Sequence, residues 1–86
     1  MISKDEDIFL NMILEEVIGH GIEDLREMFW QMPKEELLLK YSINGLNNGL
    51  FKEFKDVIGN QFGKENEDTL TIELISRIYD TVKWLN

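Results

Sequence analysis

Apolar residues recur at spacings of three and four through most of this chain and almost never alternate strictly, and that period is what most narrows the folds open to it. A half-buried strand requires alternation. The sequence therefore predicts an all-α fold, a compact bundle of four to five short helices forming a single domain over residues 1–86. At 86 residues, 43% hydrophobic and 30% charged, the chain has the balance of a globular protein rather than a disordered one. A chain of this size hides roughly 60–65% of its unfolded surface on folding.

Glycines and the single proline divide the periodic segments into helices at about 4–18, 22–32, 34–44, 48–62 and 67–85. Ser3 is a candidate N-cap, and Asp5, Glu6 and Asp7 suit the positive end of the first helix dipole. At 100° per residue, Ile8, Phe9, Leu10, Met12, Ile13, Leu14, Val17 and Ile18 cover nearly the whole circumference and leave a narrow gap of Asp7, Asn11 and Glu15. This helix is expected at the centre of the fold, ending at Gly19-His20-Gly21. Pro33 disfavours a helical Met32 and suits the start of the third helix, in which Leu37, Leu38, Leu39, Tyr41 and Ile43 are expected to be buried.

In the fourth helix Leu50, Phe51, Phe54, Val57, Ile58 and Phe62 share an arc opposite Lys52, Glu53, Asp56 and Asn60. Gly59 weakens that helix and Gly63 ends it, and "GKENED", residues 63–68, reads as a polar loop. The last helix builds its seam from Leu70, Leu74, Ile75, Ile78, Val82 and Leu85, widened by Ile72 and Tyr79. Glu73 and Arg77 form an i,i+4 pair on its outer side.

The stretch "YSINGLNNGLF", residues 41–51, invites comparison with ligand-binding glycine loops. Gly45 and Gly49 followed by Lys52 match neither the dinucleotide nor the P-loop spacing, and the flanking segments have a helical period. Two glycines and three asparagines would cost a continuous helix several times ~0.5–1 kcal/mol, so a helix-to-helix corner is expected.

No constellation for catalysis emerges. With no cysteine and only His20, the chain lacks a zinc cage and a thiolate nucleophile, and the absence of a disulfide framework suits a cytoplasmic setting. The acid-rich start is unlike a secretory signal, and no apolar run approaches the ~18 residues of a membrane span. Glu16 and His20 are four apart, but a third ligand is missing, and His20 is expected near a helix C-terminus beside the last carbonyls. Carboxylate pairs such as Glu15 with Glu16 and Glu35 with Glu36 read as solvated helix faces. No enzyme activity, cofactor or metal is expected.

Seventeen acids against nine Lys and Arg give a net charge of −8, and residues 1–43 hold ten of the acids but four of the bases. Such a field repels phosphate backbones and anionic lipid and speeds encounter with basic surfaces. Residues 33–62 have the outline of a helix-turn-helix, but its reading helix would offer Glu53 and Asp56 along with Lys52 and Lys55, which argues against direct binding of nucleic acid. Trp30 and Trp84 fall outside the apolar stripes of their helices, each near acids and an arginine, and tryptophan is enriched among binding hot spots.

These features point to a non-catalytic acidic module that docks on a basic surface of a protein partner, in the manner of small inhibitors, toxin immunity proteins or phage counter-defence proteins, through Glu23, Asp24, Glu27, Trp30 and Trp84. A nucleic-acid-handling enzyme or a toxin fits as the partner. The alternative is an adaptor that self-associates as a homodimer through its C-terminal helix.

Overall fold

A computed structural model describes the backbone of residues 2–30, 32–44 and 49–84, and within these the side chains of 2–19, 32–39 and 52–83. The described residues form four helices and no strand: α1 (Lys4–Trp30), α2 (Lys34–Asn44), α3 (Gly49–Phe62) and α4 (Lys64–Trp84). The all-α fold expected from the period of three and four is the one observed.

Two boundaries differ from the sequence reading. α1 runs without a break through Gly19, His20 and Gly21, so segments expected as two helices are one of 27 residues. Two isolated glycines cost a helix ~1 kcal/mol each, less than opening the helix and leaving eight terminal backbone groups to be satisfied. His20 accordingly lies mid-helix, away from any terminal carbonyls. The polar stretch 63–68 is not a loop either, because α4 begins at Lys64.

What separates α3 from α4 is Gly63 alone, with φ of 93°, a left-handed value that favours glycine. Its N–H donates to the Gly59 carbonyl at 2.9 Å, and the Asn66 side-chain amide donates to the Phe62 carbonyl at 3.0 Å. "KEN" thus caps one helix while starting the next. The glycine-rich corner expected at residues 45–48 lies outside the described residues, between the end of α2 and the start of α3.

α1 opens with a reciprocal cap. The Glu6 N–H donates to Ser3 Oγ at 3.2 Å and the Ser3 N–H donates to Glu6 Oε1 at 2.8 Å. The Ser3 cap was legible from residue type, and the capping box from the unused S-x-x-E spacing of "SKDE". At α2 the Pro33 carbonyl accepts the Leu37 N–H at 3.0 Å, so Pro33 is the residue just before the first helical turn.

The helix at the centre is α4, not α1, and the other three helices all pack on it. Leu70, Thr71, Leu74, Ile75, Ile78, Tyr79 and Val82 are buried along its length, joined by Leu10 of α1, Leu37 of α2, and Phe54 and Ile58 of α3. Buried Thr71 satisfies its hydroxyl on the Glu67 carbonyl one turn earlier. Phe9 and Phe62 meet edge to face, ring centroids 5.3 Å apart, and tie α1 to the end of α3.

Candidate functional site

Polar side chains of α4 clasp each neighbouring helix. Arg77 lies 2.8 Å from Asp7 and donates to Asn11 Oδ1 at 3.0 Å on α1, while holding Glu73 on its own helix at 3.1 Å. The expected Glu73–Arg77 pair is present, but at the seam with α1 rather than on an outer face. Asp7 and Asn11, two of the three residues of the narrow polar gap in α1, face Arg77 of α4, while Glu15 lines the surface. Burial works against the Arg77 charge, but the hydrogen bonds it donates to Asp7 and Glu73 outweigh it and hold the guanidinium above its usual range.

The start of α2 is fixed to α4 by Lys34, whose ammonium donates to both oxygens of Asp80 at 2.9 and 2.8 Å. The Tyr79 hydroxyl adds a bond to the Met32 carbonyl at 2.6 Å. Lys55 of α3 reaches Asp68 at 3.4 Å and Glu67 at 3.7 Å. Three basic side chains are thereby spent inside the fold. Lys55, one of the two bases a DNA-reading helix would offer, is one of them.

The exposed carboxylates Glu15, Glu16, Glu35, Glu36, Glu53 and Asp56 have no described ion-pair partner. They lie on three helices and leave an anionic exterior. Among the described residues no three His, Cys, Asp or Glu side chains come together as a metal site, and no helix is long and apolar enough to cross a membrane.

Apolar residues also reach the surface. Ile8 is 48% exposed, Met12 60%, Val57 47% and Leu39 60%, so four side chains expected in the core are outside it. The reason is geometric: each outer helix has a wider apolar arc than its contacts, chiefly with α4, can cover. Between α1 and α3, Met12 and Val57 border an open groove lined also by Phe9, Ile13, Glu15, Glu16 and Gly19. Among the described residues the two carboxylates are its only titratable lining groups.

Of the candidate binding residues, Glu23, Asp24, Glu27 and Trp30 belong to the second half of α1 and Trp84 ends α4, and their side chains lie outside the described residues. The continuous α1 nevertheless fixes their register. At roughly 100° per residue Glu16, Gly19, Glu23, Glu27 and Trp30 all return to within about 60° of Met12, whereas Asp24 stands about 120° away. Only an unbroken helix aligns them so. Trp30, off the stripe of a short helix, falls at the same angular position as Met12 on the long one.

On α4, the helix whose apolar arc raised the homodimer alternative, Ile75, Ile78, Tyr79 and Val82 are buried within the fold. In comparisons with known proteins, no family model, no curated protein and no solved structure matches the chain.

Proposed function

We propose that this protein is a non-catalytic binding module that docks its acidic α1 side on a basic surface of a protein partner, acting as an inhibitor, immunity or counter-defence protein does. The observation that carries the reading is the α1 stripe, which combines exposed Met12 and Glu16 with the register of Glu23, Glu27 and Trp30 on one continuous helix. Negative charge there raises the on-rate and selects cationic partners, and an aromatic anchor within a charged rim supplies affinity. Asp24, off the stripe, contributes only to the long-range field. Trp84, on another helix, is a separate contact or none.

Co-purification from lysate at low and high salt tests this, with enriched proteins identified and their isoelectric points compared with the input. Basic proteins should be enriched at low salt, released at high salt, and lost from a Glu23→Lys/Glu27→Lys variant. If the captured set is no more basic than the input, or is indifferent to the charge reversal, electrostatic docking through α1 is wrong.

A further inference from the structure

We infer that the groove between α1 and α3 receives an amphipathic helix of the partner, apolar along one side and flanked by Lys or Arg. The inference rests on the reading of a basic partner and adds where that partner binds and in what form. Three features of the groove agree on the occupant.

The first is its floor. Phe9 and Ile13 are half-buried there, while Met12 and Val57 expose 60% and 47% of their surface from opposite walls. Ile8, one turn before Met12, continues the apolar surface toward the α1 N-terminus. From Phe9 to Gly19 the wall runs about 15 Å at 1.5 Å per residue, the rise of about three helical turns. Apolar anchors at i, i+4, i+7 and i+11 of a bound helix match that length. Met12, unbranched and flexible, adapts to their shapes.

The second feature is charge. Among the described residues Glu15 and Glu16 line the groove and no basic residue does. A second copy of the chain would bring two such rims together, and two bodies of net charge −8 with them. A cationic helix places its flanking charges against the carboxylates and its apolar side on Met12 and Val57.

Gly19 is the third. Two helix-interior glycines can be compared directly. A Cβ at Gly59 would collide with the Glu67 carboxylate, so that glycine is explained by the packing of α3 against α4. A Cβ at Gly19 would meet nothing within 4 Å. Gly19 carries the helix penalty of glycine without an internal contact to explain it, and leaves a notch in the groove wall where a partner side chain or backbone can approach.

The test uses a synthetic 16-residue peptide, fluorescein-labelled, with leucines at i, i+4, i+7 and i+11 and lysines on the flanks. One control has the same composition with the leucines scattered around the helix, and a second replaces lysine by glutamate. Fluorescence anisotropy at low salt measures affinity, and amide NMR shifts locate binding. The protein variants Gly19→Leu and Met12→Gln/Val57→Thr alter the groove without altering charge, and circular dichroism verifies their folding.

The inference expects the patterned lysine peptide to bind, with shifts at Phe9, Met12, Ile13, Gly19 and Val57. Affinity should drop at least about tenfold with either control peptide and with either variant. Equal binding of the scattered peptide, or equal binding to the groove variants, overturns it and leaves the basic-partner reading intact. A wild-type dimer in light scattering that Met12→Gln/Val57→Thr dissolves also overturns it, because the occupant is then a second copy. Failure of the lysine peptide to bind overturns the groove as well; the lysate experiment then decides separately whether the basic-partner reading survives.

Discussion

α1 and α4 are both long and rich in apolar residues, yet they occupy opposite situations. In α4 apolar and polar positions alike find partners: Leu74, Ile75 and Ile78 are fully buried, and Arg77, Asp80 and Glu67 each reach a different helix. Among the described residues of α1 only Leu10 is buried, with Ile8 and Met12 on the surface. Centrality is set by how many directions a helix has neighbours in, not by how much of its circumference is apolar. An edge helix with a surplus of apolar surface has something left over for contact with another molecule.

The sharpest way to break this contrast is to truncate both. Leu74→Ala should cost about 2–5 kcal/mol in urea or guanidinium unfolding, because a 0% exposed leucine leaves a cavity in the core. Leu10→Ala should fall in the same range, and Met12→Ala, on the same helix, should stay within about 0.5 kcal/mol. Equal losses at Leu10 and Met12 would mean that α1 is buried on both sides and the comparison is mistaken.

Arg77→Met removes the polar clasp between the two helices. Its side chain is 21% exposed, so screening trims the loss to about 1 kcal/mol, and the same change should raise amide exchange in α1 more than in α3.

The two helical glycines sharpen the comparison with a change of sign. Gly19→Ala should stabilise by about 0.5–1 kcal/mol, since helix propensity improves and the new methyl meets nothing. Gly59→Ala should gain less or lose, because the Glu67 carboxylate must swing aside and weaken its pairing with Lys55. Thermal midpoints measured side by side suffice to rank them.

The smallest effect belongs to the α1 cap. The Ser3 backbone N–H, then its hydroxyl, hold the Glu6 carboxyl below its ordinary value. A depressed folded pKa gives a contribution that is present above the unfolded pKa and lost as pH falls through the folded one. Glu6→Gln should therefore flatten the fall in urea midpoint between about pH 7 and about pH 3, leaving other carboxylates to account for the remainder. Ser3→Ala should move the Glu6 titration, followed by NMR, back toward the ordinary range and lower the thermal midpoint by a few degrees.

Much of the fold was legible in periodicity and punctuation. Pro33 marked the start of α2, Gly63 marked the end of α3, and the buried seam of α4 was the arc of Leu70, Leu74, Ile75, Ile78 and Val82. What misled was the weight given to single breakers. Gly19 and Gly21 lower helix propensity by an amount that tertiary contacts of a long helix overcome, whereas Gly63 needs a left-handed φ that no other residue there supplies as readily. Likewise "KENED" looked like a loop by polarity, although acids in a first turn are equally the mark of a helix start. The choice of central helix could not come from one helix at a time, because exposure at Met12 and Val57 depends on which neighbours exist.

The candidate surface was legible in part. Trp30, Glu23 and Glu27 were visible as an acidic, aromatic cluster, but their alignment with Met12 and Glu16 requires the unbroken α1. The groove itself needed α3 beside α1, and Gly19, read from the sequence as part of a helix end, did not announce it.

Gly63 has a bearing on how the chain acquires its structure. With one residue joining them, α3 and α4 can find each other at almost no loop-closure cost, whereas Arg77 must wait for Asp7 and Asn11 from the far end of the chain. The C-terminal pair therefore has the makings of an early-forming template, onto which α1 docks afterwards.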